Sequence, residues 1–166
     1  MKKVATKLNG FTIRFATKED AGLILKFIKE LADYEGELTA TEEDLRHSIF
    51  ERDAAEVIIG EYHEEPVGFA LFHQNFSTFL GRPGLHLVDL YIIPSMRGKG
   101  FGTMILSYLA KLTVKRDRGR LEWWCHDWND PAIEIYKNLG AFPLDNIRVY
   151  RLFEDKLIQF SRKCEL

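Results

Sequence analysis

The chain of 166 residues has two cysteines, five prolines and three methionines, and nowhere a run approaching the roughly twenty apolar residues that a membrane span needs. Cys125 and Cys164 lie far apart without metal-type spacing, and the five histidines are scattered, so neither a disulfide framework nor a bound metal is expected. No apolar secretory core follows the lysines of "MKKVATKLNG", which favours a reducing, cytoplasmic setting. Charge of one sign is also scarce. Lysine and arginine number 23 against 25 aspartates and glutamates, and a formal net charge of -2 excludes a general attraction to nucleic acid or to an anionic membrane. Any basic site must be local.

What is present, 46% hydrophobic and 29% charged residues, is the composition of a globular protein long enough for one proper core. The expected layout is a short flexible lead-in over residues 1–10 and a single domain over 11–166. "FTIRF" alternates as a strand does, and Thr17 then offers an N-cap with Asp20 three positions on. Ile24, Phe27, Ile28, Leu31 and Tyr34 repeat at helical spacing, and Thr41 in "TEED" opens a second helix carrying Leu45 and Ile49. "AEVIIGEY" and "PVGFALFHQ" read as a hairpin, "NFSTFLGRPG" as a loop and "LHLVDLYII" as a strand stopped by Pro94. A helix is expected from Thr103 to Lys115, then a strand at "RLEWWCH", a short helix in "NDPAIEIYKNLGA" closed by Gly140, a last strand at "IRVYRLF" and a polar tail helix. The order β-α-α-β-β-β-α-β-α-β predicts a mixed α/β (α+β) fold with helices on the faces of the sheet.

The densest signal is "DLYIIPSMRGKGFGTMIL", where Gly98, Gly100 and Gly102 separate an apolar strand from a helix. Glycines at such a junction let backbone N–H groups approach a ligand, and the helix N-terminus adds unsatisfied donors and the positive end of a dipole. Arg97 and Lys99 add full charges suited to phosphate. A tight turn with a solvated basic pair is the competing reading. A nucleotide-triphosphate loop needs Gly-Lys-Ser/Thr, and a dinucleotide fingerprint needs a third small residue at position 103; neither is met.

What remains, Arg97-x-x-Gly100-x-Gly102 after a strand, resembles the signature of GNAT-type N-acetyltransferases. The similarity to their diamine (spermidine/spermine) branch runs from "FTIRFATKEDAGLILKFIKELADYE" through "FSTFLGRPGLHLVDLYI" and "MRGKGFGTMIL" to "DWNDPAIEIYKNLGA". The resemblance implies a mostly antiparallel, splayed sheet flanked by helices, acetyl-CoA as co-substrate, a small amine as acceptor, direct transfer in a ternary complex, and a homodimer. It implies that Leu90, Tyr91 and Ile92 bind the pantetheine arm through their backbone, and that Arg97, Gly98, Lys99, Gly100, Phe101, Gly102 and Thr103 hold the pyrophosphate. Tyr136 matches the tyrosine that protonates the departing thiolate. Asn129 matches a pantetheine contact, and is equally a helix cap. Tyr34 and Glu35 match the amine pocket and Glu37 lies close by, where carboxylates either hold a polycation or face solvent, and Trp124 matches a pocket position that packing explains as well.

Val88 departs from the pattern. "LVDL" stands where the diamine enzymes have "LEDL", and valine accepts no proton. On a regular strand Asp89 points to the opposite face, whereas His86 shares the face of Val88 and is either structural or a substitute base. Three explanations compete: another base, such as His86, Glu35 or a water chain; an amine already neutral; or a non-catalytic acyl-CoA sensor or interaction module. An acceptor of another kind, such as an amino acid or a protein N-terminus, also stays open.

Overall fold

The computed structural model describes residues 2–35 and 38–164, which fall into two compact units, one ending at Trp124 and one beginning at Cys125. The first unit is built on a six-stranded sheet: β1 (Val4–Ala5), β2 (Phe11–Phe15), β3 (Glu56–Tyr62), β4 (Glu65–Ser77), β5 (Arg82–Ile92) and β6 (Leu121–Trp123), in that spatial order. Every neighbouring pair is antiparallel except β5 and β6, which run parallel. Residues 4–5 of the expected lead-in thus join the sheet, Val4 opposite Ile13.

Helix α1 (Ala21–Glu35) begins after a short turn over Lys18–Asp20, where the Thr17 N–H donates to Asp20 Oδ2 at 2.8 Å. Its apolar face lies on one side of the sheet, with Ile24 and Phe27 packed among Val57, Ile59, Phe69 and Tyr91. The Phe27 ring stacks on Phe69 at 5.6 Å. A second helical stretch, α2 (Glu42–Leu45), is capped by Thr41 as its sequence suggests, runs on as a π-turn to Glu51, and adds Ile49 to the same core. On the other side, α3 (Phe101–Lys115) stacks Phe101 on Phe11 at 4.4 Å and buries Ile105 and Leu109 completely. The β3–β4 turn is two residues, His63 and Glu64, both in the left-handed region that matches the twist of a tight hairpin.

The second unit holds α4 (Asp130–Asn138) and α5 (Glu154–Ser161). Asn129 caps α4, its side chain accepting from the Ala132 N–H at 3.4 Å, and Gly140 ends it with φ 85°.

Three expectations change. The loop after β4 shrinks to residues 78–81, because β4 and β5 pair out to Ser77 and Arg82. The strand at "RLEWWCH" is only Leu121–Trp123. "IRVYRLF" takes no regular strand: among the described residues its own unit contains no other strand, and an isolated one has no ladder to satisfy its backbone.

A buried ionic cluster ties β2 to its surroundings. Arg14 grips Asp20 with two bonds of 2.7 and 2.8 Å and donates through Nε to Glu61 at 2.7 Å, while Lys3 meets the other oxygen of Glu61 at 2.6 Å. Burial opposes ionisation of Glu61, yet Lys3 and Arg14 hold its carboxyl below the usual range. Removing one partner strands the others, so Arg14→Leu is expected to cost about 3–5 kcal/mol in urea unfolding; a loss under about 1 kcal/mol shows that the cluster is not a stability element.

Candidate active site

Strand β5 is paired with β4 along its whole length, but with β6 only from Leu85 to Leu87. Among the described residues the β6-facing edge from Val88 to Ile92 therefore meets no strand. Leu90 is half-buried, and Tyr91 and Ile92 are anchored in the two cores. The Tyr91 hydroxyl donates to Glu30 of α1 at 2.9 Å, and the guanidinium of Arg97 lies 5.5 Å from the centre of the Tyr91 ring. Arg97 Nε also donates to the Ile92 carbonyl at 2.9 Å, folding the residues after Pro94 back on the strand end.

The glycine turn then delivers α3. Gly98 (φ 74°) and Gly100 (φ 82°) adopt left-handed conformations that a side chain resists. Gly102 is different. Its φ is ordinary, and an added Cβ would meet nothing closer than Ile92 Cγ1 at 3.8 Å, so nothing among the described residues demands glycine in this first helical turn. Gly100 is the N-cap and supplies no side-chain acceptor, and the first N–H satisfied inside the helix is that of Met104, donated to the Gly100 carbonyl at 2.9 Å. Among the described residues the N–H groups of Phe101, Gly102 and Thr103 have no acceptor. Lys99 is exposed beside them, 5.8 Å from the Tyr62 ring centre. Orphaned donors, a basic pair and a cradle free of Cβ atoms fit a diphosphate.

The β4–β5 pairing also breaks step. Leu71 lies opposite Asp89 and Phe72 opposite Leu87, so Val88 is the extra residue of a β-bulge and is 48% exposed. This overturns the face assignment expected of a regular strand. His86 is opposite His73, two residues from Leu71 on β4, and so shares the α1 face with Asp89 and Tyr91 instead of lying opposite them. Around His86 stand the His73 ring at 5.2 Å, the Trp124 ring edge-on at 4.9 Å and Glu122, whose Oε1 is 3.9 Å from Nδ1. His73, Glu122 and the cluster they form with His86 were not singled out by sequence reasoning, because the bulge that assembles them leaves no mark in the residue pattern.

In the second unit Tyr136 is half-buried on α4, and burial first, then the neighbouring Cys125, push its phenol above its ordinary value. It stays protonated at neutral pH. Asn129 is occupied as the α4 cap. Tyr34 and Glu35 fall on the last turn of α1, and Glu37 lies outside the described residues.

Comparison with known proteins agrees with this geometry. The model of the acetyltransferase (GNAT) family matches residues 25–141. A thialysine N-epsilon-acetyltransferase from Bos taurus is 33% identical over 153 residues, covering 85% of this chain and 89% of its own. The human spermidine/spermine N(1)-acetyltransferase-like protein 1 is 28% identical over 159 residues, covering 89% of this chain and 23% of its own. Among solved structures, an integron cassette protein from the mobile metagenome of V. cholerae superposes with a TM-score of 0.78 at 26% identity, over 92% of this chain and 98% of that one. The chain belongs to the GNAT acetyltransferase family. It is an acetyl-CoA-dependent N-acetyltransferase, an enzyme that moves an acetyl group onto an amine.

Burial lowers the pKa of His86 below its ordinary value of 6.5, with His73 and Arg120 adding to the fall and Glu122 opposing it; Asp89 shares its face. Such an imidazole takes its proton more readily in the unfolded chain, so stability is complete above pH 6.5 and falls as the pH drops through the folded value. Thermal melts between about pH 7.5 and about pH 5 should therefore show a steeper loss of Tm in the wild type than in His86→Gln. Parallel pH profiles would exclude His86 as a source of the acid sensitivity.

Proposed function

We propose that the enzyme acetylates a primary amine of a small diamine, polyamine-like or aminoalkyl molecule by direct attack on acetyl-CoA within a ternary complex, its two units forming one acetyltransferase domain over residues 11–166. The family match across both units supports the single domain, and the names of the relatives support the acceptor class. The observation that carries the cofactor reading is the first turn of α3: three donors without acceptors beside a glycine, Gly102, that the fold itself does not require.

In this reading Arg97 and Lys99 neutralise the pyrophosphate, while the backbone N–H groups from Gly98 to Thr103 bond its oxygens. The backbone of Leu90, Tyr91 and Ile92, beyond the reach of β6, aligns the pantetheine arm, and Asn129 adds a contact from the start of α4. The amine nitrogen forms its bond to the acetyl carbon as the carbon–sulfur bond breaks; the excess amine proton leaves to a neighbouring base or to water, and Tyr136 supplies the proton of the departing thiolate. Tyr34, Glu35, Glu37 and Trp124 line the acceptor end, and the enzyme works as a homodimer. His86, which shares the α1 face with Asp89, is the base proposed in place of the glutamate missing at Val88.

Coenzyme A release measured with a panel of primary amines is expected to depend on both acetyl-CoA and amine; tight acetyl-CoA binding without release for any amine would overturn the catalytic reading. Gly102→Leu should retain the fold, since leucine is the better helix former, and weaken coenzyme A binding by about ten-fold or more in calorimetry. Undiminished binding removes the cradle from the account. Tyr136→Phe should lower kcat by about a hundred-fold with little change in acetyl-CoA affinity, and an unchanged kcat removes the phenol from the mechanism.

A further inference from the structure

The side chain of Tyr91 carries more than its place in the strand requires. The residue is 3% exposed and packed in the core under α1, its ring 6.0 Å from that of Phe27. Phenylalanine would fill such a position without a hydroxyl to satisfy. Here the hydroxyl is present, and it donates to Glu30 Oε2 of α1 at 2.9 Å. Glu30 is itself braced, its other oxygen 4.0 Å from Lys26 Nζ one turn earlier on the helix. The ring is thus tied to α1 at its far end, while β5 and its pairing with Phe69 hold the near end.

What rests on this fixed ring is the guanidinium of Arg97, with Cζ 5.5 Å from the ring centre, within the range of a cation–π attraction. Arg97 is an exposed residue of the turn that follows Pro94, and an arginine side chain without support samples many rotamers. Two contacts limit that freedom, the Nε bond to the Ile92 carbonyl and the face of Tyr91, and both come from neighbouring residues of β5. A guanidinium meets an aromatic ring with its flat face and a phosphate with its edge, through two parallel N–H bonds. Support by the ring and recognition of an anion are therefore compatible.

We propose that Tyr91 is a positioning residue for the cofactor: its ring, pinned by Glu30, holds the Arg97 guanidinium in place for the diphosphate of coenzyme A. This inference rests on the reading that Arg97 neutralises that diphosphate. An arginine held in advance loses less freedom when the anion arrives, so the ring raises affinity only for ligands that carry the diphosphate. Strand β5 then serves the cofactor twice, through its backbone for the pantetheine arm and through one buried side chain for the charge beyond it.

The test compares coenzyme A with pantetheine, which ends before the diphosphate, by calorimetry on the wild type, Tyr91→Leu, Tyr91→Phe, Arg97→Ala and the Tyr91→Leu/Arg97→Ala double variant. Tyr91→Leu should lower the ratio of coenzyme A to pantetheine affinity by about five-fold, the size of one partly exposed cation–π contact. Loosened core packing weakens both ligands together and cancels from the ratio. Tyr91→Phe keeps the ring and should recover most of the loss. In Arg97→Ala the ratio falls, and adding Tyr91→Leu should lower it no further, because the ring acts through the arginine. If Tyr91→Leu does not fold, Tyr91→Met fills more of the site and is read in the same way. A wild-type ratio in the ring-free variant, a Tyr91→Phe ratio no better than that variant's, or a further fall in the double variant would each overturn the proposal while leaving Arg97 at the diphosphate. An unchanged ratio in Arg97→Ala overturns the diphosphate reading of Arg97, and the role of Tyr91 with it.

Discussion

The unequal pairing of β5 governs this molecule. Hydrogen bonds to β4 hold the strand from Arg82 to Ile92, whereas β6 holds it only over Leu85–Leu87. A fully paired strand would spend every backbone group on its neighbours and leave nothing for a ligand. A strand unpaired on both sides would have no fixed position. Held along one side and, among the described residues, flanked by no strand beyond Leu87 on the other, β5 presents a sheet edge on a rigid support. The apolar anchors on its two faces, Tyr91 under α1 and Ile92 under α3, keep the open edge from fraying.

The glycine turn follows from that arrangement. Leaving the end of β5, the chain must reverse and begin α3 within a few residues, and two left-handed glycines make the reversal. The turn brings the helix start, with its N–H groups that have no acceptor among the described residues, next to the strand end that β6 does not cover. Tight backbone geometry and helix-start N–H groups without acceptors among the described residues are here consequences of one local solution.

Much of this is local and was therefore readable. The caps at Thr41 and Asn129, the left-handed end at Gly140, the stop at Pro94 and the glycine turn each depend on a few consecutive residues, and each is found where the residues point. What escaped depends on partners distant in sequence. The extension of β4 to Ser77 is fixed by its pairing with Arg82, the shortness of β6 by how far β5 accompanies it, and the fate of "IRVYRLF" by whether an edge is offered to it. The bulge is the clearest case. "LHLVDLYII" alternates well enough to hide an inserted residue, and a period of two carried through Val88 assigns His86 to the wrong face. The neighbours of His86 come from β4 and from β6, so no window of the sequence contains them together.

The bulge also makes β5 a strand of two independent halves. Below Val88 its side chains take one phase, above it the other, while the backbone continues without a break. Losing or gaining one residue at this point inverts which face the side chains below it occupy and leaves those above it unchanged. What one half of the strand presents is therefore adjustable by chain length at a single position, a step that leaves no trace when only substitutions are compared.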